Sequence, residues 1–186
     1  MSAPTTDFAT LTGTYTIDTA HSRLGFVARH AMVTKVRGSF NEFEGSFTID
    51  GDDPSKSSAT VTAQVASIDT RNEQRDGHLR TNDFFDAPTY PTIIFTTTSI
   101  AHRGGDEFEV TGDLTIKGVT KSVTFPLEFQ GAAKDPYGNT RIGFEGGTTV
   151  NRTDWGIAFN AALETGGVLV SEKIQLEFEI SAIKNA

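Results

Sequence analysis

Strict alternation of apolar and polar residues dominates this chain and restricts it to half-buried β-strands. Over residues 107–116, Phe108, Val110, Leu114 and Ile116 alternate with Glu107, Glu109, Thr111, Asp113 and Thr115. Over 121–129, Val123, Phe125, Leu127 and Phe129 alternate with Lys121, Thr124 and Glu128. Over 173–180, Ile174, Leu176, Phe178 and Ile180 alternate with Lys173, Gln175, Glu177 and Glu179. A period of two puts successive side chains on opposite faces, so each segment has one dry and one wet face.

Shorter stretches repeat the pattern. Leu24, Phe26 and Ala28 share a face that would also carry His30, and Phe43, Phe47 and Ile49 share another with Gly45. Val61, Ala63 and Val65, then Ile93 and Phe95, then Ile142 and Phe144 supply the rest. Phe40 stands three residues before Phe43, which predicts a bulge near Arg37-Gly38-Ser39. Gly/Pro/Asp clusters separate the runs, as at Gly51-Asp52-Asp53-Pro54, Gly104-Gly105-Asp106, Lys117-Gly118 and Asp135-Pro136-Tyr137-Gly138-Asn139. About eight strands with unequal faces predict an all-β chain with an antiparallel sheet, closed into a barrel that leaves no exposed edge. A sandwich is the second architecture. Gly143, Gly146 and Gly147 would mark a bend in a strand.

One interval is not strand-like. Thr70-Arg71-Asn72-Glu73 has the spacing of a capping box, and helix-compatible polar residues follow to Leu79-Arg80. This predicts one short helix over 71–80, placed over one barrel end, then a turn through Asp83-Phe84-Phe85. Residues 1–12 show no period and read as a loose tail, leaving residues 13–186 as one domain.

Composition removes several function classes. The chain has 186 residues and a net charge of −8, against a nucleic-acid partner and against docking on anionic lipid head groups. It has no cysteine, which excludes disulfides and thiolate chemistry. Its 14 Phe against 1 Trp and 3 Tyr favour dry surfaces with few hydrogen-bonding demands. No apolar run is long enough for a membrane-spanning helix, and the N-terminal residues lack the pattern of a signal peptide, so the chain is expected in the cytoplasm.

Candidates for chemistry are sparse. The four histidines show no metal-ligand spacing, so no metal is expected. Asp18-Thr19-Ala20-His21 reads as a turn held by a side-chain hydrogen bond, and Asn151-Arg152-Thr153 as a chance sequon. The polar cluster is Arg71, Arg75, Asp76, His78, Arg80 and Asp83. Arg71, Arg75 and His78 fall at helical spacing and would form either a solvated face or a cationic rim at the barrel mouth that orients a head group. Asp18, His21, Asp76, Asp83 and Arg152 are read as structural polar residues. Strand parity supports an inward lining of Phe26, Phe43, Phe47, Phe95 and Leu114, continued by Phe125, Leu127, Phe144, Trp155 and Phe178.

These residues together resemble the YceI-like family of polyisoprenoid-binding proteins. The resemblance rests on Asp18-x-x-His21-Ser22, on Arg75-Asp76-Gly77-His78-Leu79-Arg80 with Asp83-Phe84-Phe85-Asp86, and on Tyr90-Pro91-x-Ile93-x-Phe95. Gly112-x-Leu114-Thr115-Ile116-Lys117-Gly118-Val119-Thr120, Arg152-Thr153-Asp154-Trp155-Gly156 and Val170-x-x-x-Ile174 extend it over residues 13–182. It implies a lipocalin-like barrel, often a homodimer and commonly periplasmic. It also implies a bound polyisoprenoid, isoprenoid quinone or fatty acid or amide, with no required cofactor. Trp155 stands where the family often has Phe.

The expected function is non-catalytic storage or transport of a long apolar lipid. One alternative is an enzyme on a hydrophobic substrate that uses Asp18 and His21 or the helix face. The other is a structural or interaction barrel whose core is filled.

Overall fold

Each alternating run forms a strand in the computed structural model, which describes residues 7–164 and 166–185. The described residues hold β1 (Gly13–Ile17), β2 (Arg23–His30), β3 (Thr34–Phe40), β4 (Phe43–Ile49), β5 (Ser58–Gln64) and the two-residue β6 (Ile68–Asp69). The helix α1 (Glu73–Leu79) follows. Then come β7 (Thr92–Gly104), β8 (Glu107–Ile116), β9 (Val119–Lys134), β10 (Thr140–Asn151) and β11 (Lys173–Lys184).

All pairings are antiparallel, and eight strands close into a barrel. The ring runs β1-β4-β5-β7-β8-β9-β10-β11 and returns to β1. The seam lies on β11. Its C-terminal end pairs with β1 through Ile17 and Ala182, and its N-terminal end pairs with β2 through Leu24 and Phe178. The chain passes from β1 to β2 through a 3-10 turn at Thr19–His21, so one strand partner hands over to the next along β11. β3 extends this flap, and β6 pairs with it at Phe40 and Ile68.

The alternation explains the inside. Phe108, Val110 and Leu114 on β8, and Val123, Phe125 and Phe129 on β9, are buried while their neighbours on the other face are more exposed. Glycines make room where rings cross. A Cβ at Gly38 would collide with the Phe26 ring, and one at Gly112 with the Phe95 ring. The bend expected at the β10 glycines is a register shift between Gly143 and Phe144, where β9 carries one extra residue.

The bulge predicted near Gly38 is not there. β2 and β3 pair without interruption from Leu24–Phe40 to His30–Thr34. The odd spacing of Phe40 and Phe43 arises because they sit on different strands, separated by the bend at Asn41-Glu42.

The helix is shorter than 71–80, and Thr70 is not its cap. Arg71 has φ 63°, outside helical space, and the Asn72 side chain caps the helix by accepting the Arg75 N–H at 3.0 Å. Thr70 is instead buried, its N–H and hydroxyl both bound to Asp76.

Of the expected loose tail, residues 1–6 lie outside the described residues. Phe8–Leu11 form a 3-10 turn with Asp7 as cap and Leu11 buried at one barrel end. The Phe8 ring meets Phe108 and Phe129 edge-on, at 5.4 Å for each pair of centroids. Gly51 must be glycine here, because a Cβ would run into the Phe8 carbonyl.

Candidate functional site

A cavity of about 350 Å³ runs through the barrel. Its middle is walled by Phe95, Leu114, Phe125, Phe144, Leu176 and Phe178 from five neighbouring strands. The rings lean on one another and leave the axis open: Phe125 touches Phe95 and Phe178 at centroid distances of 5.5 and 5.1 Å. On β11 alone the wall extends from Ile174 to Ile180, about 20 Å of strand.

The two ends are built differently. The floor is the Phe8–Leu11 turn, packed with Phe47, Ile49 and Phe129. The helix side of the wall carries Phe26, Phe40, Leu79, Phe84, Phe85 and Trp155. Trp155 belongs to a 3-10 turn (Arg152–Trp155) capped by Asn151, and Gly156 at φ 76° ends that turn. Its indole N–H donates to the Leu114 carbonyl at 2.9 Å.

Nine of the ten residues read as lining stand on the cavity wall. Phe43 does not: it lies at the outset of β4, beyond the wall that Phe47 and Ile49 form on the same face. Arg71, Arg75 and His78 do not stand on the cavity wall either. Arg71 is exposed and left-handed, off the helical face. The Arg75 guanidinium turns back and donates to the Thr70 hydroxyl and carbonyl at 2.7 and 2.6 Å. His78 bonds Asp83 at 2.8 Å and packs edge-on against Phe84 and Phe159. The helix gives the wall only Leu79, because its polar side chains are spent on the loop that holds it.

Asp18 and His21 pair at 2.7 Å, away from the cavity wall. Arg141 donates to Asp18 at 2.6 Å and to Asp135 at 2.8 Å, tying the β1–β2 turn to the β9–β10 turn. Arg141 and then His21 hold the Asp18 carboxyl below its ordinary value. The same guanidinium, helped by Asn139 and backbone N–H groups, brings Asp135 down to about 2.

Arg152 is the cation that does reach the wall. It is 6% exposed and donates to the carbonyls of Ser171, Ile157 and Val170. Burial lowers its pKa, and the Glu172 charge partly offsets this. Among the described residues it has no ion-pair partner within 4 Å.

Sequence reasoning did not place Phe8, Leu11, Phe40, Phe84 or Phe85 in the lining. Phe40 could have been found from its pairing with Leu24 had the bulge not been invoked. Phe8 and Leu11 carry no strand period and give no such signal. Among the described residues no group of three or more His, Asp or Glu could hold a metal ion, and no helix is long and apolar enough to cross a membrane.

The YceI-like domain model matches residues 15–182. UPF0312 protein SAS2572 of Staphylococcus aureus (strain MSSA476) is 43% identical over 164 residues, covering 88% of this chain and 93% of that protein. Burkholderia cenocepacia BcnA superposes with a TM-score of 0.78 at 28% identity, over 89% of this chain and 98% of that one. The Campylobacter jejuni YCEI protein gives 0.74 at 30% identity, over 85% and 90%. A polyisoprenoid binding domain from Saccharophagus degradans shares the fold, at 0.70 and 17% identity over 92% and 98%. With the barrel, its capping helix and the matched span in agreement, the chain belongs to the YceI-like family.

Proposed function

We propose that the protein binds one long apolar lipid chain inside the barrel and holds it without chemical change. The observation that carries this is the unfilled apolar cavity. At about 24 cal/mol per Å³, a void of about 350 Å³ forfeits on the order of 8 kcal/mol of packing. That rivals the entire stability of an ordinary domain, about 5–15 kcal/mol. A chain that only needed a core would fill the space. A lipid tail recovers the lost contacts, at about 0.8 kcal/mol per buried CH₂ before ordering costs.

An elongated, near-featureless tunnel suits an unbranched or prenyl chain: a polyisoprenoid, an isoprenoid quinone, or a fatty acid or amide. The Saccharophagus degradans domain is likened to this chain by fold only, so the ligand class rests on the cavity's own chemistry. Arg152 is the group suited to a polar ligand end, because its desolvated guanidinium has N–H groups to spare for an acceptor oxygen. The Asp18–His21 pair lies off the cavity wall, where it could not reach an enclosed substrate.

Native mass spectrometry of the purified protein, followed by solvent extraction, tests the reading. The expected result is a mass increment that extraction converts to one long-chain lipid. Lipid-free protein that also refuses added prenyl alcohols and fatty acids would sink it.

A further inference from the structure

The β2–β3 hairpin, whose Ala28 stands on the cavity wall, ends in an exposed apolar tip. Met32 is 58% and Val33 76% exposed, and Val168 on the adjoining loop is 37% exposed. The turn is closed by the Val33 N–H donating to the His30 carbonyl, with Ala31 at φ 50° and Met32 at φ 66°. Two successive left-handed residues are what Asn-Gly supplies at low cost, and here Ala-Met stands in their place. The tip is also braced. The Ala31 N–H donates to the Leu169 carbonyl, and a Cβ at Gly167 would strike the Met32 thioether. This strained, braced geometry holds two large apolar side chains out in water.

Charge segregates onto the same hairpin. The net charge of −8 argues against anionic surfaces for the chain as a whole but not for this hairpin, because residues 23–40 hold Arg23, Arg29, Lys35 and Arg37 and no Asp or Glu. Arg23 and Arg37 face Glu177 across the sheet, at 3.0 and 3.9 Å. Arg29 and Lys35 stand directly opposite each other, both exposed, with no ion-pair partner among the described residues. Two like charges facing each other across a ladder destabilise it unless an external anion compensates. Glu172 adjoins Ser171, whose hydroxyl accepts from the Arg29 N–H, and Glu164 precedes it in the same loop.

We infer that this hairpin docks its end of the barrel onto an anionic lipid bilayer. Arg29 and Lys35 lie two residues behind the turn, about 7 Å along the strands. Apolar elements that seat in a bilayer interface sink about 5–10 Å, so the spacing sets Met32 and Val33 at the acyl boundary and the two cations at the phosphates. The same strand leads inside. Ala28 lines the cavity two residues before His30, and Val170, which bridges to His30, lines it as well. The docked tip would therefore stand beside the path by which a lipid enters. That part rests on the lipid-binding reading; the docking itself does not.

The test is co-sedimentation with vesicles of phosphatidylcholine alone and of phosphatidylcholine mixed with phosphatidylglycerol. Wild-type protein should bind the mixed vesicles better, and salt should weaken that binding. Arg29→Gln with Lys35→Gln should weaken it about thirtyfold, and Val33→Ser about tenfold. Both variants should keep the wild-type circular dichroism and the wild-type uptake of lipid from detergent micelles. Equal binding to both vesicle types, or no loss in either variant, overturns the proposal. So does a solution dimer that Val33→Ser dissociates, which would assign the tip to a second copy of the chain. An empty barrel in native mass spectra would count against the cavity reading alone, because vesicle binding is read separately.

Discussion

The indole N–H of Trp155 and the carbonyl oxygen of Leu114 are joined at 2.9 Å inside the barrel, and both side chains stand on the cavity wall. The bond locks the turn after β10 against β8, so the lone tryptophan is held rigidly where a ligand would pass. Titrating delipidated protein with a long-chain prenyl alcohol should change Trp155 emission and saturate at one equivalent. Emission that stays flat while mass spectrometry shows uptake would place the ligand elsewhere. Trp155→Phe keeps an aromatic wall but strands the Leu114 acceptor, and should cost about 1–2 kcal/mol in urea unfolding.

Leu176 points into the middle of the tunnel, opposite Phe26 on β2. Leu176→Trp should cut lipid uptake at least tenfold while leaving the unfolding midpoint unchanged or higher. In a filled core the same change would overpack and cost about 1–3 kcal/mol. A destabilised variant with normal uptake would refute the open tunnel.

Phe8 closes the floor through its ring contacts with Phe108, Phe129 and His102. Phe8→Ala should lower stability by about 2 kcal/mol, a partly buried share of the usual aromatic truncation cost. It should also speed release of bound lipid, measured by transfer to acceptor vesicles. Unchanged release would mean that lipid exchanges only through the other end.

Asp76 is buried and accepts from the Thr70 N–H and hydroxyl, while Arg75 grips Thr70 from the other side. Asp76→Ala should cost about 2–4 kcal/mol, because it strands two buried donors of charge-assisted bonds. Arg71→Ala should alter neither stability nor lipid uptake. Lost uptake in Arg71→Ala at wild-type stability would restore the head-group role to that face.

The carboxyls of Asp18 and Asp135 sit below their ordinary value of 3.8 in the folded protein, Asp135 at about 2, with Arg141 the first cause in each case. Groups depressed in this way stabilise the fold above their unfolded pKa, and the contribution is lost as pH falls through the folded value. Urea midpoints should therefore drop between about pH 4 and pH 2. Arg141→Met should be less stable at neutral pH and show a shallower drop. A variant with the same acid slope as wild type would rule out this link.

The barrel was legible wherever a strand has one wet face. β8, β9 and β11 read directly off the alternation of Phe108 to Ile116, Val123 to Phe129 and Ile174 to Ile180, since burial on one side forces that period. The seam was less legible. β1 offers only Tyr15 and Ile17 to the inside, too few to mark a period, yet Tyr15 is fully buried and its strand closes the ring. The lining was largely readable because inward parity follows from strand identity. The polar site was not. Arg75 and His78 have the spacing of a shared helical face, but spacing says nothing about whether a guanidinium turns outward or folds back onto Thr70. Arg152 was read as structural, and its place on the wall depends on a turn that sequence does not orient.

The backbone of Asn185 donates to Thr14, and Phe8 plugs the floor, so both ends of the described chain gather at the pole away from the hairpin tip. A tag, anchor or partner domain fused ahead of Asp7 or after Asn185 would project from that rear pole. Protein immobilised through a short fusion at either end would turn the hairpin tip toward the medium.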